Sequence, residues 1–225
     1  MKIFASIIGY NGKMGKEIKK AAKNHPLEII GGVGKDDIDN LKKIFKKADV
    51  AIDFSSREAL DTILQYAIKT STPLVIGTTG YRDEDFEKIK IASKKIAIFY
   101  SSNFSIGIAL LRSLCEKSLK IFPKSSVDII EKHHILKKDK PSGTALTIEK
   151  DLKKVLKNKI NIHSIRVPNT AFEHSIIFAN PDETIEIKHT ADSRAVFANG
   201  ALRAAYFIYN KKTGLYSIKD LFGSI

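Results

Sequence analysis

The segment that most restricts how this chain can fold lies near its start. Residues 2–8 form a short apolar run rich in β-branched side chains, which ends at Gly9-Tyr10-Asn11-Gly12-Lys13-Met14-Gly15. A helical pattern follows, with Ile18, Ala21 and Ala22 on one face. Strand, glycine-rich turn and helix in that order is the context in which a glycine motif can hold a dinucleotide. The spacing here is G-x-x-G-x-x-G. The first glycine permits a tight turn, the second lets backbone approach a pyrophosphate, and the third lets helix and strand pack closely.

The alternation continues. Residues 27–33 read as a second strand, and the corner after it is Gly34-Lys35-Asp36-Asp37. An acidic residue about 20 positions past the glycines can bind the ribose hydroxyls, which is a role for Asp36, whereas Lys35 suits a 2′-phosphate. Both NADH and NADPH therefore stay open. Residues 49–55 and 73–76 are further strands, the latter ending in Gly77-Thr78-Thr79-Gly80. A fifth, residues 95–99, ends in Tyr100-Ser101-Ser102-Asn103-Phe104-Ser105. Helical patterns at 41–47, 57–69 and 83–93 separate the last three strands from what precedes them. Five strands alternating with helices predict an α/β unit with a doubly wound, Rossmann-like parallel sheet. Small polar residues recur at the strand C-termini, where such sheets bind ligands.

After Ser105 the pattern changes. An apolar helix over 106–121 precedes a strand at 127–131, and a helix is expected over 144–156. Three strand-like segments then follow without intervening helices, at 160–167, 172–178 and 184–190. That predicts a second, smaller α+β domain with a mixed or antiparallel sheet. Residues 197–209 return to helix, with Ala201, Ala204, Ala205 and Ile208 at helical spacing. The expected division is a first domain of residues 1–104, completed by 197–225 packing back, and a second of 105–196.

Between strand and helix of the second domain lies Glu131-Lys132-His133-His134-Ile135-Leu136-Lys137-Lys138-Asp139-Lys140-Pro141-Ser142-Gly143-Thr144. Adjacent histidines can exchange a proton near neutral pH. The lysines attract carboxylates, and Ser142-Gly143-Thr144 opens a helix whose free N–H groups suit an anion. Other histidines, at positions 25, 163, 174 and 189, stand alone and are expected to be surface or structural residues. Asp53 is expected to support a loop.

Composition narrows the class. The 225 residues are 43% hydrophobic and 28% charged, as in an ordinary globular protein, but the net charge is +13. Such a charge favours anionic partners. The lysines are spread along the whole chain with no nucleic-acid signature, so small anionic ligands are favoured over nucleic acid. Cys115 alone permits neither an intrachain disulfide nor a thiolate metal cluster, and no metal site is expected. No leader pattern and no apolar run of membrane-spanning length is evident, which predicts a soluble, cytoplasmic protein.

The segments GYNGKMG, VIGTTG, SSNFSIG, EKHHILKKDKPSGTAL and FANGALRAA, in this order over nearly the whole chain, resemble the 4-hydroxy-tetrahydrodipicolinate reductase (dihydrodipicolinate reductase) family. The resemblance implies an NAD(P)H-dependent reductase acting on a cyclic imine dicarboxylate in diaminopimelate and lysine biosynthesis, and a homotetramer. It implies that Gly9, Tyr10, Asn11, Gly12, Lys13 and Met14 bind cofactor phosphates. Gly77, Thr78, Thr79, Ser101, Ser102, Asn103 and Phe104 would line its nicotinamide half. His133 would be the proton donor and Lys137 the catalytic lysine, with His134, Gly143 and Thr144 binding substrate. Phe172 stands where the family often has glycine, and Ile135 and Leu136 where relatives are commonly more basic. A different two-domain dehydrogenase, or a non-catalytic dinucleotide- or nucleic-acid-binding protein, would share the glycine turn but has no need of the histidine–lysine segment.

Overall fold

Ile3, Ala5, Ile7 and Ile8 of β1 (Ile3–Ile8) are apolar and buried, and Ser6 is buried among them, as in strands covered on both faces. The structure, a computed structural model, describes residues 2–35, 37 and 40–222. In it β1 joins β2 (Leu27–Val33), β3 (Val50–Asp53), β4 (Leu74–Ile76), β5 (Ala97–Tyr100) and β10 (Gly214–Tyr216) in one sheet of order β10-β5-β4-β3-β1-β2. All its pairings are parallel. The sixth strand, β10, has only three residues and carries no periodicity that a sequence reading could detect.

The connecting helices are α1 (Lys13–Ala22), α2 (Leu41–Phe45), α3 (Leu60–Thr70) and α4 (Asp83–Ser93). A core of Ile8, Val33, Phe45, Ile63, Leu74, Ile76, Ile89 and Ile98 fills the space between α2, α3, α4 and the sheet. Against the sheet also packs α7 (Ala195–Ile208), which touches β3, β4, β5 and α1. Its alanines bring it close, and at Gly200 an added Cβ would lie only 1.8 Å from the Phe104 carbonyl oxygen. His25 of the α1–β2 turn bonds Asn199 of α7 at 3.0 Å. Residues 1–104 and 194–225 together make one compact unit, and 105–193 a second.

The second unit has a four-stranded sheet of order β7-β6-β8-β9, formed by β6 (Ser126–His134), β7 (Ile160–Val167), β8 (Phe172–Ala179) and β9 (Thr184–Ala191). It is mixed: β6 runs parallel to β7 and antiparallel to β8, and β8 pairs antiparallel with β9. Helices α5 (Ile106–Ile121) and α6 (Gly143–Leu152) cover it through a core that includes Leu111, Cys115, Val127, Ile129, Ile148 and Phe178.

One element differs in extent. The sequence suggests that β6 stops at Glu131, with the histidines in a loop, but the strand continues through His134. The reason lies in parity. Val127, Ile129, Glu131 and His133 occupy alternate positions, and all four are buried. The polar pair thus takes the inward places of an apolar series, which masks the strand signal.

Candidate active site

The glycine turn in the first unit is built for close approach. Gly9 has φ +82°, and a Cβ there would sit 2.3 Å from the Phe54 carbonyl oxygen. Its N–H and that of Tyr10 both donate to the Val33 carbonyl, at 2.9 and 3.1 Å. A Cβ on Gly15 would meet the Gly9 carbonyl oxygen at 2.5 Å, so α1 can begin directly under the turn only with glycine there. Gly12 is the N-cap of α1 and offers no side-chain cap. The first-turn N–H groups and the positive end of the helix dipole are thereby left for an anion. Asn11 and Lys13 are exposed beside it and Met14 is half-buried. Tyr10 is held by Lys19, whose Nζ lies 3.7 Å from the ring centroid. These residues fit a dinucleotide pyrophosphate. Lys35 is exposed at the end of β2, whereas Asp36 lies outside the described residues.

The ends of β3, β4 and β5 are tied by polar contacts. Asp53 is fully buried; its carboxylate accepts from the Ser55 N–H at 3.0 Å, the Ser55 hydroxyl at 2.5 Å and the Thr78 hydroxyl at 2.8 Å. Burial pushes the Asp53 carboxyl up to about 6, although those three hydrogen bonds pull it down. A Cβ on Gly77 would meet the outer end of the Phe54 ring at 2.3 Å, so the backbone there approaches the ring closely, and Thr79 is exposed. The Ser101 hydroxyl donates to the Asn103 carbonyl at 2.6 Å and accepts from the Asn103 N–H at 3.2 Å, while Ser102 projects outward. Phe104 is buried against Phe54 and Phe99, with ring centroids 5.5 and 5.9 Å away.

In the second unit, β6 delivers His133 into a buried polar cluster. Its Nδ1 bonds the Glu131 carboxylate, whose other oxygen accepts from Arg166 Nη2 at 2.7 Å. Arg166 is fixed in turn by the carbonyls of Ile165 and Asp139, at 2.8 and 2.7 Å. His174 of β8 meets the His133 ring edge-on with centroids 5.2 Å apart, and Phe172 lies 5.7 Å from His133 and 6.0 Å from His134. Burial works to raise the pKa of Glu131, but hydrogen bonds from Arg166 and Ser164 and the charges of His133 and Arg166 outweigh it, so the carboxyl stays below its usual range. Burial lowers His133, only partly opposed by Glu131, and Lys137 and Arg166 push the same way as burial. Burial and the neighbouring His133 press His174 down to about 4. Glu131, His133 and His174 bring ligand-type atoms within 4.8 Å of one another, but the guanidinium on Glu131 opposes a cation there.

Beyond β6 the chain turns, with the Lys137 N–H on the His134 carbonyl at 3.0 Å. Lys137 Nζ bonds both oxygens of Asp139 at 2.8 Å, and together with the Gly143 N–H it holds the Asp139 carboxyl below its usual range. Ser142 caps α6 by accepting from the Ala145 N–H at 3.2 Å, and its hydroxyl also reaches His174 Nε2 at 3.2 Å. Gly143 is exposed, and a Cβ there would meet nothing within 4 Å. Thr144, half-buried, follows it in the first turn. The Asp139 carboxylate thus already lies against the α6 N-terminus, held there by the Gly143 N–H and by Lys137 on the preceding loop.

A family profile described as "Dihydrodipicolinate reductase, N-terminus" matches residues 1–104, and one described as "Dihydrodipicolinate reductase, C-terminus" matches residues 107–222. The chain belongs to the dihydrodipicolinate reductase family. Relatives named 4-hydroxy-tetrahydrodipicolinate reductase include one from Caldanaerobacter subterraneus subsp. tengcongensis, 41% identical over 247 aligned positions and 98% of each chain. Another, from Thermosipho africanus, is 43% identical over 96% of this chain and 95% of the relative. Among solved structures, a dipicolinate-bound dihydrodipicolinate reductase from Paenisporosarcina sp. TG-14 has the same fold, with TM-score 0.85 over 99% of this chain and 100% of the other, at 23% identity.

Within this reductase-family chain, the structure gathers Gly9 to Met14 in one turn and sets Thr78, Ser101 and Asn103 at neighbouring strand ends. It sets His133, Lys137, Gly143 and Thr144 around the end of β6 and the start of α6. Arg166 and the partnership of Glu131 with His133 escaped the sequence reading; of the two roles expected for His174, surface or structural, its burial fits the structural one, though its place beside His133 was not foreseen. For Glu131 a signal existed, in its even spacing from His133 along the strand. Arg166 and His174 reach the site through sheet pairing, which one sequence does not display.

Proposed function

We propose that the chain reduces 4-hydroxy-tetrahydrodipicolinate to tetrahydrodipicolinate with NADH or NADPH, in the route to diaminopimelate and lysine. The carrying observation is the grouping of a buried histidine, a lysine and a helix N-terminus that already receives one carboxylate, that of Asp139, within one unit of a chain from this family. Residues 1–104, completed by 197–225, bind the dinucleotide, and 105–196 bind the substrate and mediate assembly into a homotetramer, which light scattering can test. The phosphates rest on Gly9 to Met14, with Lys35 or Asp36 at the adenosine ribose, and Gly77 to Thr79 and Ser101 to Phe104 border the nicotinamide. When bound, a reduced nicotinamide supplies hydride to the ring carbon that the departing hydroxyl leaves unsaturated.

The remaining chemistry belongs to side chains. Loss of water gives an α,β-unsaturated imine, and hydride addition at C4 converts it to an enamine that needs a proton on the carbon between C4 and the former imine carbon. His133, protonated, gives that proton. Lys137 attracts a carboxylate and favours the developing charge. The N–H groups of Gly143 and Thr144 and the Thr144 hydroxyl hold a carboxylate at the dipole of α6, with His134 alongside. A solved reductase of the same fold holds dipicolinate, a planar dicarboxylate, which supports this reading of the carboxylate site. The test follows NADH and NADPH oxidation with substrate made in place by dihydrodipicolinate synthase. Oxidation that requires the synthase is expected, and its absence with both cofactors would overturn the assignment.

A further inference from the structure

We infer that Glu131 is a positioning residue for His133: clamped by Arg166, its carboxylate keeps hydrogen on Nδ1 and leaves Nε2 as the nitrogen that serves the substrate. The inference rests on the reading of His133 as proton donor and assigns that role to one atom. Strand geometry makes the pairing. Glu131 and His133 are two apart on β6, so both side chains point to the buried side, and each is at most 5% exposed. One carboxylate oxygen faces His133 Nδ1 and the other faces Arg166 Nη2 at 2.7 Å. Arg166 is placed by sheet register, opposite His133 on β7, and its guanidinium is anchored by two carbonyls. The carboxylate therefore cannot swing away from the ring without abandoning a buried cation.

An ionised carboxylate only accepts hydrogen bonds, so Nδ1 must donate. In the neutral ring Nε2 is then the bare nitrogen, and in the imidazolium Nε2–H is the proton with somewhere to go. The groups around His133 come from every packed element: Glu131 on β6, Arg166 on β7, His174 and Phe172 on β8, and Lys137 on the following loop. Of these Glu131 alone stabilises the imidazolium. Without it, a buried ring facing two cations and a second histidine would protonate only in stronger acid.

The test uses ring-nitrogen NMR of the full-length protein, with the His133 signals identified by their loss in His133→Gln. The expected wild-type state at alkaline pH is the Nδ1–H tautomer. In Glu131→Gln the His133 midpoint should fall by about one pH unit or more and the tautomer should become mixed, and turnover above that midpoint should drop about tenfold. KM for the cofactor should not move. Arg166→Gln should shift the midpoint the other way, upward, because it removes a cation and frees the carboxylate to act on the ring alone. Glu131→Asp, which keeps the charge, should restore most of the wild-type midpoint. Should Glu131→Gln not fold, the Arg166→Gln and Glu131→Asp titrations carry the test. An unchanged tautomer and midpoint, or shifts of the same sign in Glu131→Gln and Arg166→Gln, would overturn the assignment. Opposite shifts in a chain that fails to oxidise NAD(P)H would sustain it while removing the proposed reaction.

Discussion

A histidine 5% exposed, with a carboxylate on one nitrogen and two cations near by, does not titrate as it would in water. Its pKa lies below the ordinary 6.5, so the fraction able to give a proton shrinks as pH rises through that lowered value. kcat/KM for the imine should accordingly fall on the alkaline side of a midpoint below 6.5. His133→Gln should abolish that dependence and cut kcat by roughly 10²–10⁴-fold, leaving the dissociation constant for NAD(P)H, measured by fluorescence, unchanged. Asp139 makes a different point. Its carboxylate occupies the Lys137 ammonium that substrate would use, at 2.8 Å to both oxygens. Exposed ion pairs are weak, so Asp139→Asn should lower the KM for substrate by a modest factor, about two- to fivefold, in steady-state assays. At the ribose corner, Lys35→Glu should turn preference toward NADH if the lysine meets a 2′-phosphate; an unaltered NADH/NADPH ratio would exclude that contact.

Among the elements, β3 and β6 show what a sequence reading can and cannot reach. β3 is apolar up to Asp53, so both the strand and its polar end were visible, and the structure puts that aspartate to work on Ser55 and Thr78. Asp53→Ala leaves the Ser55 and Thr78 hydroxyls to find new acceptors, while the Ser55 N–H keeps the Thr78 hydroxyl oxygen at 2.9 Å, and should cost about 1–3 kcal/mol and lower Tm in calorimetry. β6 was read three residues short because Glu131 and His133 sit where Val and Ile would continue the alternation. Polar residues at inward positions are costly unless partnered, and the partners, Arg166 and His174, lie 35 and 41 positions from Glu131 and His133. Fold class and the glycine turn depend on local pattern and were legible. The cluster around His133 depends on register and was not. Phe172 gains its sense in the same way, as an aromatic wall against both histidines.

For the molecule as a whole, one buried group in each unit responds to acid in the opposite sense to the other. His174, held near 4 when folded against 6.5 in water, contributes stability above 6.5 that is lost as pH falls toward 4. Asp53, raised to about 6 from 3.8, contributes stability below 3.8 that is lost as pH rises toward 6. Each shift amounts to roughly 3 kcal/mol, of opposite slope within nearly the same interval. Hydrogen exchange corrected for its intrinsic pH dependence should therefore show protection falling in β6–β8 between pH 6.5 and 4, while it rises around the ends of β3 and β4. Parallel loss in both places would contradict those pKa directions.

The contact of Phe104 with Gly200 has a consequence for lineage and engineering. The main chain leaves the first unit at Phe104 and rejoins it at Arg194, at the head of the helix that holds Gly200. Six helical residues span about 9 Å, so exit and return are separated by a gap that three or four residues can bridge. Residues 105–193 are thus a cassette spliced into a finished frame: the nucleotide-type sheet can be closed over a short linker, and another insert of different chemistry can be grafted at the same seam.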